Sequence, residues 1–509
     1  MMFRPTRSRF GSVGPVALTR GGTRAPSAVS RAVETASPPT QGTAVQILAK
    51  PWLTRRDGHS GFASLTRGTD ALGARLRLID AAERSIDLQS FLIKPDLSSR
   101  LIAARIVEAA KRGVRVRILV DDIFTTVSDD QLNTLNTFPT IDVRVFNPLP
   151  RAVPMPFGVI SGLPMSNRRM HNKSFTVDNA ITIVGGRNNA DEYFEVEESI
   201  EFADFDVMAA GQAAADVSAG FDLFWNSGLA VELGLLLRST ASRPPRPLLA
   251  PDQLERAARV FDGAVASPVI ANLRAGRLAP DTAPAKVVTD LPAKLRMKRG
   301  QGKQALVDAL RTKLAAAERE VVFVSPYFVP RAAGVAQLRA LGDRGVKVTV
   351  ITNSLGSTNH PLVHGGYAPH RKALLRAGVR LYEARPDTAQ SRITGAPVRL
   401  TLHTKSVVID RHSALIGSLN LDPRSTELNT EMGIFVESTS FASHLADAIK
   451  ADLPLYTYAL RFDDTGNVIW EAGTGGDRQI WHRDPGATLR RRFVAGIAMA
   501  LRPLVENQL

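Results

Sequence analysis

The chain has no cysteine among its 509 residues, which excludes disulfide bonds and is compatible with a reducing compartment. It has no apolar run near the roughly 18 residues that a membrane-spanning helix needs. Aromatic residues make up only 6% of the sequence, without the alternation of aromatic and basic residues typical of a nucleic-acid groove. We therefore expect a globular protein that does not span a membrane, and the low aromatic content argues against nucleic acid as its partner.

Acidic residues are few relative to basic ones. There are 49 Asp and Glu against 64 Lys and Arg, which gives a formal net charge of +15. Residues 1–60 contribute +7, from nine basic and two acidic residues, and the remainder contributes +8. Such a surface favours a polyanionic partner, either anionic lipid or nucleic acid. A solvated basic surface without a partner is the alternative.

The first 44 residues are rich in Arg, Ser, Thr, Pro and Gly and nearly free of acids, which predicts a disordered tail. They lack the continuous apolar segment of a secretory signal, whereas a transit peptide or a misassigned start codon also fits. We place a first globular half at residues 45–239, a linker with an inserted helical segment at 240–298, and a second half at 299–509. The alternative assigns residues 240–298 to the second half.

One motif occurs twice in the chain. In both copies Lys follows His by 2 positions, Asp by 7 and Asn by 17, and the two His are 232 positions apart. With only 9 His in the chain, coincidence is a poor explanation. The copies are His171-Asn-Lys173-Ser-Phe-Thr-Val-Asp178 with Gly185-Gly186-Arg187-Asn188, and His403-Thr-Lys405-Ser-Val-Val-Ile-Asp410 with Gly417-Ser418-Leu419-Asn420.

The internal spacing predicts a β-hairpin in each copy. His and Lys two positions apart point to one face of a strand, and a second apolar run follows each Asp. With two-residue loops at 179–180 and 411–412, His171 lies opposite Asn188 and His403 opposite Asn420. Each hairpin then gathers an imidazole, an ammonium and a carboxamide at its open end.

These groups suit reaction at a phosphodiester. Imidazole acts as a nucleophile or as a general acid-base near neutral pH. Lys binds phosphate oxygens as a point charge, and the Asn amide adds a neutral donor. Two such sets facing each other supply a nucleophile and an acid, so we expect neither a metal nor a cofactor.

The motif belongs to a longer repeat. Arg112-Gly-Val114 returns as Arg344-Gly-Val346 at the same offset of 232 positions, and helices alternate with strands around both copies. This pattern predicts an α/β fold with two similar halves related by a pseudo-two-fold axis. Both motifs then lie at the interface, where ligand sites are common.

The paired motifs resemble those of the phospholipase D superfamily. The longer context, with Asp191-Glu-Tyr-Phe194 and the run from Asp422 to Glu431, is most similar to bacterial cardiolipin synthases of the C type. The resemblance covers roughly residues 50–509. It implies two α/β/α sandwich halves and a double displacement through a phosphohistidine, without a metal. His171 is implied as the nucleophile and His403 as the general acid-base, although the residues alone do not separate the two.

The resemblance also implies roles for the remaining site residues. The catalytic set is His171, Lys173, Asp178, His403, Lys405 and Asp410, and the phosphate-binding set is Asn188, Asn420, Ser418 and Gly186. Glu431 matches the family's His-orienting carboxylate, and Asp206 is its counterpart in the first half, with Asp204 as the alternative. Asp178 and Asp410 are alternatively plain turn residues. His360, His364 and His370 either line a headgroup pocket or pack in the fold.

Four functions remain open on the sequence. The first is a cardiolipin synthase, which transfers a phosphatidyl group to phosphatidylglycerol and releases glycerol or ethanolamine. The others are a phospholipase D that releases phosphatidic acid, a nuclease or other phosphodiesterase, and a membrane-binding scaffold with an inactive site. We favour the first because of the motif context and the basic body, whereas two complete motifs argue against a scaffold.

The resemblance implies where the protein acts and with which partners. Anionic and zwitterionic phospholipids and a membrane surface are the expected partners. The expected location is the cytoplasmic side of the bacterial inner membrane, bound peripherally. Near the C-terminus, residues 467–471 and 478–482 are predicted to pair as a hairpin. The basic and apolar run 490–501 is expected to form a buried closing helix, with a helix on the membrane surface as the alternative.

Overall fold

Two large mixed sheets, one for each half of the repeat, form the framework of the protein. The computed structural model describes residues 32–38, 42–53, 58–149, 167–237, 247–391, 395–473 and 477–500. The chain divides into a unit of residues 1–33, nearly all outside the described ranges, and a second unit of residues 34–509. Both sheets belong to the second unit.

The first sheet and its helices come from the first half and the segment that follows it. Its strands are β1 (Ser60–Leu65), β2 (Ser85–Ser90), β3 (Arg115–Asp121), β4 (Ile141–Phe146), β5 (Ser174–Val177), β6 (Ile181–Gly185), β7 (Ile200–Ala203), β8 (Asp206–Ala210), β9 (Ala230–Glu232) and β10 (Asp281–Ala283). Its helices are α1 (Ala44–Ala49), α2 (Gly68–Ala81), α3 (Leu97–Lys111), α4 (Asp129–Asn136), α5 (Gln212–Trp225), α6 (Leu233–Leu236), α7 (Leu254–Val265) and α8 (Pro268–Arg274). Apart from β7, the strands pair in the order β10-β1-β8-β6-β5-β2-β3-β4-β9.

The second sheet repeats this arrangement. Its strands are β11 (Ala285–Thr289), β12 (Glu320–Val324), β13 (Lys347–Asn353), β14 (Arg380–Ala384), β15 (Ala389–Gln390), β16 (Pro397–Leu402), β17 (Ser406–Ile409), β18 (Ser413–Gly417), β19 (Met432–Glu437), β20 (Thr457–Phe462), β21 (Val468–Ala472) and β22 (Gln479–Trp481). Its helices are α9 (Ala305–Ala315), α10 (Arg331–Asp343), α11 (Pro361–Tyr367), α12 (Arg371–Arg376), α13 (Pro423–Glu427), α14 (Thr439–Tyr456) and α15 (Leu489–Ala500). Apart from β15 and β16, which form a three-stranded sheet with β7, the strands pair in the order β11-β19-β18-β17-β12-β13-β14-β20. This order matches β1-β8-β6-β5-β2-β3-β4-β9 of the first sheet, with β21 and β22 added at the edge.

Each half is an α/β/α sandwich, as predicted. Along β3, Val116, Ile118 and Val120 belong to the core under α2 and α3, whereas Leu119 faces the opposite core, which α5 covers with Phe224. This alternation follows from the period of two along a strand. A third core lies between the sheets and is built from the inner faces of both halves. The hairpins β5–β6 and β17–β18 therefore lie next to the interface.

The repeated Arg-Gly-Val ends a helix and starts a strand in both halves. Arg112 donates to the carbonyls of Ile79 and Ala82 at the end of α2, at 2.9 and 3.2 Å. Arg344 donates to the carbonyl of Ala315 at the end of α9, at 3.0 Å. Gly113 has φ +92°, a conformation that glycine adopts without cost.

The segment 240–298 is not a linker, because its described part is shared between the halves. Helix α7 packs on α2 and α3 of the first half. Strand β10 pairs with β1 in the first sheet, and β11 pairs with β19 in the second. The chain therefore crosses from one sheet to the other within residues 281–289.

The predicted disordered tail ends earlier than residue 44. Ala36 N donates to Asp222 at 2.8 Å, and Arg115 donates to the carbonyl of Thr35 at 2.8 Å. These hydrogen bonds hold residues 34–38 against the first half. The rest of the predicted tail, up to residue 31 and at 39–41, lies outside the described residues.

The C-terminal predictions are partly changed by the structure. Strands β21 and β22 pair as the predicted hairpin. Helix α15 buries Ala495 and Ala498 against α11 but leaves Phe493 70% exposed. It is therefore a closing helix with one apolar face uncovered by the described residues. None of the described helices combines the length and the apolar character needed to cross a bilayer.

Candidate active site

The two motif hairpins have three-residue loops, not the predicted two. Val177 pairs with Ile181 and Ile409 with Ser413, so the loops are residues 178–180 and 410–412. The first two residues of each loop have φ between 50° and 57°, a left-handed conformation in which Asp and Asn are enriched. The predicted register is therefore wrong by one position, and both motif His precede their strands.

The motif Asp residues lie at the loop end of the hairpins, away from the His. Asp178 accepts hydrogen bonds from the backbone N–H groups of Arg84 and Ser85 at 2.8 and 2.9 Å. Asp410 accepts from those of Arg319 and Glu320 at 2.7 and 3.0 Å. This placement gives both a structural role and does not support the catalytic role implied for them. Asp178 thus links the first hairpin to the segment that enters β2, and Asp410 links the second hairpin to the segment that enters β12.

This placement predicts a stability effect without a catalytic one. Asp410→Ala leaves three backbone N–H groups without their acceptor. We therefore expect the free energy of unfolding to fall by about 2 kcal/mol. The kcat of the folded fraction should stay at the unaltered level. Thermal unfolding beside single-turnover rates checks this, with Asp178→Ala as the matched variant in the other half. A large loss of kcat at unchanged stability would restore a catalytic role.

Each motif His is held by a carboxylate from the opposite half. His171 Nδ1 lies 2.9 and 3.0 Å from the two carboxylate oxygens of Glu431. His403 Nδ1 lies 2.6 Å from Asp204 Oδ2. These pairs fix each ring and leave Nε2 as the nitrogen that can reach a phosphorus atom. Neither half alone assembles a complete His–carboxylate pair.

The first-half carboxylate is Asp204, so the prediction of Asp206 is wrong. Strand β7 pairs in parallel with β16, and His403 N donates to the carbonyl of Ala203 at 2.8 Å. This contact brings the next residue, Asp204, beside His403. Asp206 instead begins β8, and its carboxylate forms an ion pair with Arg75 at 3.0 Å.

Gly186 and Ser418 lie against the two orienting carboxylates, a contact that the predicted phosphate-binding role did not include. A Cβ on Gly186 would overlap the carboxylate of Asp204, so a larger residue there would displace that carboxylate. Ser418 Oγ donates to Glu431 and accepts from Met432 N at 3.1 Å. The first motif has Gly186 where the second has Ser418. The glycine leaves room for the carboxylate of Asp204, and the serine holds the carboxylate of Glu431 by a hydrogen bond.

The motif lysines are buried together between the two imidazoles. Lys173 Nζ donates to the carbonyl of His171 at 2.8 Å, and Lys405 Nζ lies 3.2 Å from His403 Nε2. Burial, together with the charge of Lys405, lowers the pKa of Lys173 to about 7. Burial lowers the pKa of Lys405 to about 8, against the raising effect of nearby carboxylates. The site therefore concentrates positive charge that a bound anion would relieve.

The two motif asparagines offer unused polar atoms to a ligand. Asn188 Nδ2 lies 2.9 Å from the hydroxyl of Tyr193, whose ring lies edge-on to His403. The amide oxygens of Asn188 and Asn420 are buried, and no partner for them lies among the described residues. Since buried polar groups are nearly always paired, we expect a ligand to complete them.

Aromatic rings that the motif did not reveal surround both imidazoles. Phe91 lies edge-on to His171, with 4.7 Å between ring centroids. Phe202 stacks on His403 at 5.3 Å, and Tyr193 and Tyr327 approach it edge-on at 5.0 and 6.4 Å. Of these residues, only Tyr193 lies in a run that the sequence analysis named. The others were missed because an isolated aromatic residue in a sequence usually indicates a core position. The rings leave His171 and His403 only 6% and 4% exposed.

The three remaining His divide between the site and the fold. His360 lies edge-on to Tyr327, with 5.4 Å between centroids, and so lies near His403. His364 contacts Arg371 at 2.8 Å and packs in the second half. His370 is buried in the 3-10 turn between α11 and α12. Among the described residues, no three His, Asp or Glu side chains gather as metal ligands.

The free site holds both imidazoles neutral. Burial, followed by the charges of Lys173 and Lys405, lowers the pKa of His171 well below its usual value. The same causes lower the pKa of His403. Burial raises the pKa of Glu431 to about 7. An unprotonated imidazole is the form that a nucleophile requires.

These shifts predict the pH dependence of kcat/KM, which reports the free enzyme. As pH rises through about 7 to 8, Lys173 and Lys405 lose their protons and phosphate binding weakens. As pH falls, the imidazoles become protonated only below the usual His range. Because Lys173 begins to lose its proton near pH 7, we expect kcat/KM to be highest on the acidic side of pH 7, above the lowered pKa values of the two His. Initial rates on a soluble phosphodiester check this, and Lys173→Arg should move the alkaline limb upward; a profile flat to pH 9 would contradict it.

Comparison with known proteins agrees with this geometry. Residues 76–222 and 310–453 each match the family described as "Cardiolipin synthase, PLD-like domain". The two matched segments contain one motif hairpin each. This chain belongs to that family. The cardiolipin synthase family match thus covers both halves of the repeat.

Individual relatives extend the match along the chain. The chain is 37% identical over 464 residues to cardiolipin synthase C of Escherichia coli, covering 89% of this chain and 97% of that protein. It is 31% identical over 439 residues to a Helicobacter pylori protein described as uncharacterized, covering 82% and 84%. The crystal structure of phosphatidylserine synthase from Haemophilus influenzae superposes with a TM-score of 0.57 over 88% of this chain and 95% of that one, at 13% identity. That likeness supports the two-half fold.

Proposed function

We propose that this member of the cardiolipin synthase family is a phosphatidyltransferase. It transfers a phosphatidyl group to phosphatidylglycerol, forms cardiolipin, and releases glycerol or ethanolamine from the donor. The observation that carries the proposal is the pair of neutral imidazoles, each held by a carboxylate of the other half around two lysines. Similarity to cardiolipin synthase C along nearly the whole of that protein supports the choice of substrate class.

The first step places His171 as the nucleophile. Its Nε2 attacks the phosphorus of the donor lipid and forms a phosphorus–nitrogen bond, while the phosphorus–oxygen bond to the headgroup alcohol breaks. The anionic phosphate of the bound donor raises the pKa of His403, so that its Nε2 takes up a proton on binding and then gives it to the departing oxygen. Glu431 stabilises the charge that develops on His171. General acid assistance of this kind accelerates a step by about 10²–10⁴-fold.

The second step reverses these roles at the same phosphorus. His403 removes a proton from the hydroxyl of phosphatidylglycerol, whose oxygen attacks the phosphorus. The phosphorus–nitrogen bond breaks, and His171 is regenerated. Since one phosphate ester replaces another, transfer consumes no water and needs no external energy source.

The phosphate oxygens lie between the lysines and the motif asparagines. The two ammonium groups neutralise the anion, and its charge in turn raises their pKa. The Asn188 amide, rotated to present Nδ2 to the phosphate, still pairs with Tyr193, because the tyrosine hydroxyl then donates to Oδ1. Asn420 offers its amide to the phosphate from the second half.

The residues around the two motif imidazoles favour phosphatidyl transfer over hydrolysis. The imidazoles are nearly inaccessible to solvent, and aromatic rings line their exposed edges. Excluding water protects a reactive intermediate from hydrolysis. A phospholipase D activity remains the alternative outcome of the experiment below.

Membrane binding is proposed to use helix α15. Leu489, Phe493 and Ile497 are spaced by four residues, share one helix face, and are 86%, 70% and 42% exposed. Arg490 lies beside this stripe and the chain carries a net charge of +15, which suits an anionic bilayer surface. Arg491 also donates to the carbonyl of Leu355 at 2.9 Å, which ties the helix to the loop before His360.

A charge placed in this stripe should weaken membrane binding. We expect Phe493→Asp to reduce flotation with anionic vesicles, and binding of the unaltered protein to weaken with salt. Leu254→Asp, at an exposed leucine of α7, is the matched control. Turnover of a soluble phosphodiester should remain. If Phe493→Asp floated with the vesicles as well as the control does, α15 would have no role in membrane binding.

Product analysis tests the proposed activity. Purified protein is incubated with liposomes of phosphatidylglycerol alone, and with added phosphatidylethanolamine, and the lipids are resolved by mass spectrometry. Cardiolipin is the expected product, and its dependence on phosphatidylethanolamine identifies the donor. Phosphatidic acid alone would assign a hydrolase instead. No change in either mixture would contradict both lipid activities.

A further inference from the structure

Arg424 is a cation at the site that has no protein partner among the described residues. It lies in the short helix α13, four positions after Asn420. Its Nη2 atom is buried, and no hydrogen-bond partner for it occurs in the described parts of the chain. No described carboxylate lies within ion-pair distance of its guanidinium, although Asp422 is close enough to act on it through charge.

The backbone holds Arg424 firmly beside the His171 segment. Its carbonyl accepts hydrogen bonds from Leu428 N and Asn429 N at 3.0 and 2.9 Å. The Asn429 side chain in turn accepts from Arg169 N at 3.2 Å. The backbone of Arg424 is thus linked through Asn429 to the segment that leads into His171. Its charge lowers the pKa of His171 and of His360, so the guanidinium acts on both sides of the site.

Several buried arginines in this protein are engaged in holding the fold. Arg187 donates to the carbonyls of Leu65 and Tyr193. Arg75 and Arg117 form ion pairs with buried carboxylates. Arg424 itself is only partly buried, but its Nη2 is buried without such a partner, which is unfavourable, and its planar fork matches a phosphate. Arg424 is therefore suited to bind an anionic ligand.

The proposed reaction brings two phosphates to the site, and the motifs account for one. The lysines and asparagines surround the phosphorus that reacts. The acceptor, phosphatidylglycerol, carries its own phosphodiester, three carbons from the attacking hydroxyl. A neutral alcohol or water lacks that second anion.

We propose that Arg424 binds the phosphodiester of the acceptor lipid and thereby selects phosphatidylglycerol over neutral alcohols and water. This assignment rests on the proposed phosphatidyl transfer and adds the residue that determines acceptor specificity. Bidentate contact with Arg424 also orients the acceptor hydroxyl towards the phosphorus on His171.

Competition between acceptors tests the assignment. Vesicles of phosphatidylethanolamine supply the donor, and the acceptors are phosphatidylglycerol in the vesicle, glycerol in solution, and water. Initial rates of cardiolipin, phosphatidylglycerol and phosphatidic acid formation are measured for the unaltered protein, Arg424→Gln and Arg424→Lys. Arg339→Gln, at an exposed arginine of α10, controls for loss of surface charge.

We expect Arg424→Gln to slow cardiolipin formation on the order of 10²-fold more than transfer to glycerol and water, because a change in the pKa of His171 affects the first step, which all three acceptors share. Arg424→Lys keeps the charge without the planar fork, so its loss should be intermediate. Equal losses with all three acceptors, or no loss with any, would overturn the assignment. If the unaltered protein transfers only to glycerol and water, the proposed function itself fails and the assignment falls with it.

Discussion

His171→Ala and His403→Ala should each abolish lipid turnover, with kcat/KM reduced on the order of 10⁴–10⁶-fold. In the proposed mechanism, His171 forms the bond to phosphorus and His403 moves the proton in both steps. The two losses should not add in the double variant, because each residue needs the other for the same reaction. Initial rates on phosphatidylglycerol vesicles, with thermal unfolding as the control for folding, measure the effect.

The two His variants also test every enzymatic account of this site. If either variant kept its activity, the chemistry would have to lie elsewhere in the molecule. A variant that no longer unfolds cooperatively has lost activity because it is misfolded. Rates are therefore compared only between variants whose unfolding temperature is unchanged. His412→Ala, at an exposed hairpin loop, is the matched histidine control.

Removing one orienting carboxylate should have the second largest effect. Glu431→Gln and Asp204→Asn keep size and hydrogen bonding but favour the wrong imidazole tautomer, and an analogous change in a catalytic triad costs about 10⁴-fold in kcat. Because the pairs are crossed, Asp204→Asn should impair the acid-base work of His403, and Glu431→Gln the attack by His171. KM should change little, since neither carboxylate contacts the lipid.

Substrates with different leaving groups separate these two carboxylates. A p-nitrophenyl phosphodiester departs without protonation, so it bypasses the acid role of His403. Asp204→Asn should therefore be partly rescued in the first step with this substrate, and Glu431→Gln should not. Asp206→Asn serves as the matched control and is expected to lose stability through its ion pair with Arg75. Rescue of Glu431→Gln instead would reverse the assignment of the two His.

The sequence was sufficient to predict the fold and the main chemical groups. Equal spacing in both copies predicted that His, Lys and Asn side chains meet, because the strand period and the repeat leave few other arrangements. The alternation of helices and strands predicted two α/β halves. Both predictions depend on local periodicity, which a single chain displays directly.

Contacts between the halves could not be predicted in this way. The exchange of Asp204 and Glu431 depends on the pairing of β7 with β16, which joins segments about 200 positions apart. The local pattern around Asp204 and Asp206 does not say which carboxylate faces a histidine. The loop register failed for a different reason: consecutive left-handed residues at Asp178 and Asn179 add one residue to the turn.

A pre-steady-state burst tests the central claim most directly. The claim is that one site, shared by both halves, transfers a phosphatidyl group through His171. With a phosphatidyl p-nitrophenol donor, His403→Ala should release about one equivalent of nitrophenolate per protein and then stall, because deprotonation of the acceptor needs His403. His171→Ala should give no burst. A burst from His171→Ala, or from neither variant while the unaltered protein turns over, would contradict the account.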